Sequence, residues 1–170
     1  MYYCYIPSPI GDLLIAGDTD RIHCLGFPED KTCRDPEPEW IFNEQPFEEA
    51  RRQLGQYFSG ERTEFDLPLA LSGTDFQVQV LEELKKIPYG ETVSYADVAR
   101  RIGRPRAVRA VGAANGRNPL PIFVPCHRVI GSSGDLTGFG GGLDAKAMLL
   151  RLEAEHSQFP SVMAPGRLER

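Results

Sequence analysis

The chain has 170 residues, of which 41% are hydrophobic and 25% charged, proportions that supply a buried core and exclude a disordered or fibrous polymer. No apolar run approaches the roughly 18 residues that a membrane span needs, and the start Met1-Tyr2-Tyr3-Cys4-Tyr5 lacks the basic and apolar stretches of a secretory signal, so a cytoplasmic setting is expected, or the nucleus in a eukaryote. The net charge of −5 speaks against an anionic partner for the chain as a whole, yet residues 85–128 hold nine basic residues against Glu91 and Asp97, a local +7 that leaves −12 elsewhere.

The first 27 residues read as a β-meander. Tyr2 to Ile6 is rich in aromatics and stops at Pro7, and Ser8-Pro9-Ile10-Gly11-Asp12 is a turn. Leu13-Leu14-Ile15-Ala16 is a second strand closed by Gly17-Asp18, and Ile22 to Phe27 is a third. Residues 28–39, with Pro28, Pro36 and Pro38 among mixed charges, are loop. Pro46 suits a helix start, after which Phe47, Ala50, Leu54, Tyr57 and Phe58 recur at helical spacing until Ser59-Gly60 ends the run. Residues 61–74 form an extended linker, so 1–70 is a small α+β unit.

The second half is mostly helical. Thr74 or Asp75 caps a helix whose apolar face is Phe76, Val80, Leu84 and Ile87, and Pro88-Tyr89-Gly90 stops it. Ser94 caps the next, Tyr95 to Ile102, which Gly103 breaks; Pro105 starts another through Val108, Val111 and Ala113-Ala114. Two short helices joined by a tight glycine-containing turn form a helix-turn-helix. Its second helix carries Arg106 and Arg109 beside Ala110 and Gly112. Small residues let a backbone come close to a flat surface and arginine supplies charge, a combination suited to DNA, although a plain helical hairpin has the same outline. Residues 116–142 are loop-rich, the last helix runs from Asp144 to Glu155, and 157–170 read as a tail without fixed structure.

Four cysteines occur, at 4, 24, 33 and 126, with no CxxC pair, and in a reducing compartment each is by default a thiol. Cys4, His23 and Cys24 fit no standard zinc module, and no metal is expected. Cys126 is different. The apolar, strand-like run Pro119 to Pro125 delivers it directly before His127 and Arg128, residue types that lower a thiol pKa and make it a nucleophile. Neighbours in a strand point to opposite faces, so His127 need not touch Cys126 directly, and a bridging water could link the two. Taken bare, the same triplet also describes a buried, inert cysteine beside a surface His-Arg pair.

The combination is more specific. Asn115-Gly116-Arg117-Asn118-Pro119-Leu120-Pro121, then Val124-Pro125-Cys126-His127-Arg128-Val129-Ile130, then Gly138-Phe139-Gly140-Gly141-Gly142-Leu143, resembles the O6-alkylguanine-DNA alkyltransferase family, the methylated-DNA–protein-cysteine methyltransferases. The match covers about residues 74–154 and includes Pro88-Tyr89-Gly90-Glu91-Thr92, Ser94-Tyr95 and Arg109-Ala110-Val111-Gly112. The first 70 residues match the family's N-terminal domain in outline, with Ser8-Pro9-Ile10-Gly11 at its start.

The resemblance implies an α+β fold: a small N-terminal ribonuclease H-like domain (1–70) and a helical DNA-binding and alkyl-transfer domain (75–156) with a winged-helix-like helix-turn-helix. It implies stoichiometric transfer of the alkyl group of O6-methylguanine, and of O4-methylthymine, to Cys126, with no cofactor. His127 takes the thiol proton through a water, Glu153 orients His127, Asn118 hydrogen-bonds in the same network, and Tyr95 protonates the departing guanine. The partner implied is double-stranded DNA with the lesion flipped out, bound through the minor groove by a protein that is a monomer in solution. Arg109 is the finger that fills the gap left by the base; Ala110 and Gly112 pack on the groove, with Arg104, Arg128 and Ser132 as further DNA contacts. Pro121, Val129, Phe139 and Gly140 line the base pocket. Phe139 stands where many members carry tyrosine, which keeps the aromatic wall and loses a hydroxyl, and Leu81 stands near a common tryptophan.

Two rivals share parts of this vocabulary. A cysteine hydrolase has the same Cys-His-Asn set but turns over and needs no arginine-bearing helix-turn-helix. A non-catalytic binder of alkylated DNA, or a regulator, binds without gaining mass. Methylated duplex separates the three by counting methyl equivalents on the Cys126 peptide.

Overall fold

The computed structural model describes residues 1–28, 33, 35–136, 139 and 142–157. The meander is present as β1 (Tyr2–Ile6), β2 (Leu13–Gly17) and β3 (Ile22–Gly26), antiparallel in sequence with Cys4 opposite Ile15 and Ile15 opposite Leu25. A fourth strand that periodicity did not announce, β4 (Ile41–Phe42), pairs parallel to β1 and gives the order β3-β2-β1-β4. Two residues are too few for a period of two to show.

Alternation places Cys4, Ile6, Leu13, Ile15 and Leu25 on one face of this sheet, and all are buried. Against them packs α1 (Glu48–Phe58), entered through a 3-10 turn at Gln45–Phe47 that contains Pro46. Phe47, Ala50, Leu54 and Tyr57, spaced three or four apart, form its buried stripe, while Glu48 and Glu49 meet the positive end of the helix dipole. The extended linker is not idle: Ile22 donates to Pro68 O at 2.8 Å and Ala70 donates to Ile22 O at 2.9 Å, and Leu25 N donates to Pro119 O at 2.8 Å. The outer edge of β3 is therefore covered by chain from both halves.

In the second half, α2 (Asp75–Leu84) begins at a full capping box between Thr74 and Gln77 and buries Val80, Leu81 and Leu84. The tryptophan-like position Leu81 is plain core. A second capping box, Ser94 with Asp97, starts α3 (Tyr95–Arg101). The helix expected from Pro105 begins instead at Val108: Pro105 and Arg106 lie in a turn, and α4 runs Val108–Gly116. The last helix, α5, spans Leu143–His156. The tail expected at 157–170 lies, apart from Ser157, outside the described residues. One buried apolar cluster runs through both halves, from Cys4 and Leu54 to Val98, Val124 and Leu149. The chain is thus α+β, as its patterning implied.

A two-strand parallel pair positions everything that follows. β5 (Val93–Ser94) pairs with β6 (Val129–Ile130), Val93 opposite Val129. β5 ends directly before Tyr95 and β6 starts directly after Cys126-His127-Arg128. Their pairing carries the start of α3 to the cysteine turn across more than thirty residues of chain.

Candidate active site

Cys126 is not on a strand. Pro119, Pro121 and Pro125 remove the amide donors a ladder needs, and the chain from 119 to 125 coils instead. Val124 N donates to Leu120 O at 2.8 Å and Cys126 N donates to Val124 O at 2.7 Å, after which Cys126–Arg128 forms a single 3-10 turn. Within this loop Ile122 has φ 74°, a left-handed conformation that costs a β-branched residue on the order of 1–3 kcal/mol and persists only where the surroundings impose it. Asn118 helps impose it: its Nδ2 donates to Val124 O at 2.8 Å and its Oδ1 accepts from Leu120 N at 2.9 Å. Asn118 therefore staples the cysteine loop, and its hydrogen bonds run to Val124 and Leu120 backbone rather than to His127. The side chain that reaches the cysteine is Asn115, with Nδ2 3.4 Å from Cys126 O.

Behind the cysteine lies a buried ionic cluster. His127 is 0% and Glu153 1% exposed, and His127 Nε2 meets Glu153 Oε2 at 2.6 Å. Arg128 Nε donates to Glu153 Oε1 at 2.8 Å and its second guanidinium nitrogen to Oε2 at 3.0 Å; the third donates to Ile87 O at 2.7 Å. Arg128, expected against DNA, thus points inward, because a carboxylate sealed in the interior requires a counter-charge and the planar guanidinium matches it in two bonds. Burial alone would raise the Glu153 pKa, but His127 and Arg128 outweigh it and hold the carboxyl far below its ordinary range. Burial pushes His127 down, with Arg128 and Lys146 adding to that and Glu153 opposing. A neutral imidazole facing an ionised carboxylate carries its proton on Nε2, which leaves Nδ1 as the basic nitrogen; Nδ1 is buried and makes no hydrogen bond to protein.

Two further members were invisible in the sequence. Lys146, on α5, is 0% exposed, donates from Nζ to Val129 O at 2.6 Å and stands 5.8 Å over the Tyr95 ring. A lysine three residues into an amphipathic helix reads as solvated, and nothing local says otherwise. Tyr57 sends its hydroxyl from α1 to Glu153 Oε2 at 2.7 Å; its helical spacing announced only a core aromatic.

The Lys146 ammonium is pushed down to about 8, first by burial, against an attraction to Cys126. The unfolded chain keeps that proton to roughly pH 10.4. Between the two values the unfolded state binds more protons, so stability rises with pH, and below 8 the cost of the buried charge is present in full. The urea midpoint of the wild type is expected to climb from pH 8 to 10 relative to Lys146→Met, by an amount worth about 2–3 kcal/mol at most; parallel curves for the two proteins would contradict this.

The remaining expected residues fall into three places. Arg109 and Ala110 are exposed on the first turn of α4, and with Arg106, Ala113 and Arg117 they form its outer face. Gly112 is half-buried on the side of α4 toward Tyr95, where a Cβ would stand 3.9 Å from the ring in ordinary contact, and Ala113 is the exposed small residue beside it. Arg104 is exposed, its guanidinium 5.7 Å from the Phe76 ring centre, and Ser132 is exposed just past β6. Pro121 and Val129 are buried next to the cysteine turn, and Phe139 packs edge-on against Phe27 at 5.3 Å. Gly140, with Gly138 and Gly141, lies outside the described residues. Among the described residues no three His, Cys, Asp or Glu side chains are grouped to hold a metal ion, and no helix is long and apolar enough to cross a membrane.

Comparison with known proteins covers both halves. The family described as 6-O-methylguanine DNA methyltransferase, ribonuclease-like domain, matches residues 1–71, and its DNA binding domain matches residues 75–155. A methylated-DNA–protein-cysteine methyltransferase of Methanosarcina acetivorans is 52% identical over 153 residues, 90% of this chain and 98% of its own. One of Mycolicibacterium paratuberculosis is 52% identical over 155 residues, 91% of this chain and 93% of its own. The crystal structure of Mycobacterium tuberculosis OGT in complex with DNA is 47% identical, covers 100% of both chains and superposes with a TM-score of 0.86.

Proposed function

This chain belongs to the methylated-DNA–protein-cysteine methyltransferase family, and we propose that the alkyl group it removes from damaged DNA is transferred to Cys126. Its activity is direct reversal of DNA alkylation: the group leaves O6-methylguanine for a cysteine of the protein itself. The observation that carries the choice of Cys126 is the Glu153–His127 pair, sealed from water at 2.6 Å, whose imidazole sits in the same 3-10 turn as the thiol while the carboxylate comes from α5.

The steps follow from the parts. His127 Nδ1 takes the thiol proton through a water, and Glu153 and Arg128 keep the ring in the required tautomer. The thiolate displaces guanine from the alkyl carbon, forming the S–C bond as the C–O6 bond breaks. Guanine is a poor leaving anion, so Tyr95 donates a proton as it departs, and the Lys146 ammonium over the Tyr95 ring favours that loss. The proton on His127 then returns through solvent to the Tyr95 oxygen, so that in the balance the thiol hydrogen passes to guanine and the alkyl group to sulfur. A thioether does not hydrolyse, so each molecule acts once; O4-methylthymine offers the same alkyl–oxygen bond. The test is the intact mass after incubation with methylated duplex: one methyl on the Cys126 peptide and a halt at one equivalent. Repeated turnover, or a bare thiol at 126, overturns the assignment.

The lesion's O6 is stacked inside the duplex and must be swung out, at a cost of a few kcal/mol. We read the α4 face of Arg106, Arg109, Ala110, Ala113 and Arg117 as lying in the minor groove, with Arg109 entering the stack, and the protein as a monomer that needs no cofactor. Arg109→Ala is expected to slow transfer from duplex DNA about 10–100-fold and to flatten its salt dependence by about one unit of slope. Transfer from the free modified base, which needs no duplex to be opened, is the control and changes far less. An equal loss on both substrates removes Arg109 from this role.

A further inference from the structure

Glu153 collects more donors than orienting one histidine requires. Oε1 accepts from Arg128 Nε and, at 3.3 Å, from Gly90 N; Oε2 accepts from His127, from Arg128 and from Tyr57. The last arrives from α1, 96 residues away in sequence, in the ribonuclease-like half of the chain. Tyr57 is 0% exposed, and its ring is held by Phe58, Phe65 and Tyr89 at centroid distances of 5.3, 5.4 and 6.2 Å. Such a ring has no freedom to turn its hydroxyl elsewhere.

We propose that Tyr57 is a positioning residue for alkyl transfer: by sharing Oε2 with His127 it limits how strongly the carboxylate draws on the imidazole, and so keeps His127 a neutral base. The ribonuclease-like half then completes the reactive site rather than only supporting it. This rests on the reading that His127 serves Cys126. A carboxylate oxygen that accepts several strong hydrogen bonds is a weaker base than one that accepts few. Without the phenol the charge on Oε2 falls more fully on His127 Nε2–H, the imidazolium is stabilised, and the ring holds a proton to higher pH. Around the pair stand Arg128 and Lys146, which oppose that proton, the Cys126 thiol, and Tyr89, which lies under the Arg128 guanidinium. All remain when only the Tyr57 oxygen is removed. Burial, and then Glu153, push the Tyr57 phenol well above its usual range, so it donates at every working pH.

The experiment compares full-length wild type, Tyr57→Phe and Tyr57→Leu. His127 is titrated by nitrogen NMR in unreacted protein, where only three histidines need to be told apart, and single-turnover methyl uptake is followed against pH. In Tyr57→Phe the imidazolium signal of His127 and the acid limb of the rate profile are both expected to move up by about 0.5–1 pH unit. At the foot of that limb transfer falls about 3–10-fold, the same shift converted to rate. Tyr57→Leu adds a loss of thermal stability but no further shift. If Tyr57→Phe lowers the melting temperature and leaves titration and limb at their wild-type places, Tyr57 is packing alone and the proposal is overturned. If the wild type takes up no methyl while the His127 titration still moves, the coupling stands and the assignment of Cys126 falls.

Discussion

With Cys126 replaced by alanine, methyl uptake is expected to vanish altogether, while binding to lesion-bearing duplex persists. The reason is that no other thiol can substitute. Cys4 is 0% exposed on the central part of the meander, and burial pushes its pKa up, away from the thiolate. Cys24 lies on β3 and Cys33 beside the same sheet, on elements that carry none of the His127, Glu153 and Lys146 cluster. Nucleophilicity belongs to the thiolate, and a thiol becomes one only where a base and positive charge are near. The α4 face proposed to meet DNA is untouched by the substitution, so a stable complex with unreacted lesion is the expected product. Intact mass and an electrophoretic binding assay, run side by side, decide it. A methyl found on the peptides of Cys4, Cys24 or Cys33 would sink the reading.

Removal of the carboxylate at 153 has the second large effect, and it falls first on folding. In Glu153→Ala the Arg128 guanidinium remains buried with no counter-charge, a situation worth about 3–5 kcal/mol of lost stability. That is a large share of the roughly 5–15 kcal/mol available to a domain. Glu153→Gln keeps the volume but cannot neutralise Arg128, and it is expected to lose most of the same stability. Transfer falls in both, since His127 loses the carboxylate that fixes its tautomer; for an orienting carboxylate the loss is on the order of 10⁴-fold. Arg128→Met combined with Glu153→Gln is expected to recover much of the stability, because it removes the stranded charge, and none of the transfer. Urea midpoints and single-turnover rates separate the two effects. A double variant that regains transfer would show the carboxylate to be structural only. The acid side carries the same signature: the folded pKa of Glu153 is depressed, so its contribution is complete above the unfolded value near 4.3 and is lost as pH falls toward the lower folded value. Glu153→Gln is expected to show less of that loss.

Much was legible in the linear chain because its signals are short-range. A period of two with turn residues between the runs outlines β1 to β3; a stripe at three and four outlines α1; Thr74 or Asp75, and Ser94, mark two helix starts as single capping residues. Val124 to Ile130, with its flanking motifs, carried the family and the candidate nucleophile. Where local signals competed, the reading slipped. Pro105 is as good a turn residue as a helix start, and α4 begins three residues later. The prolines around Leu120 forbid the strand that the apolar run suggested.

Tertiary structure alone decided where the buried charges go. Arg128 and Lys146 have the composition of surface residues, and Tyr57 that of a core aromatic. Their placement depends on Glu153 lying 25 residues from Arg128 and 96 from Tyr57, and on Val129 O meeting Lys146 across 17. A charge enters the interior only when a partner is already held there to receive it. That partner is supplied by the packing of α1, α5 and the cysteine turn against one another, which no window along the chain contains.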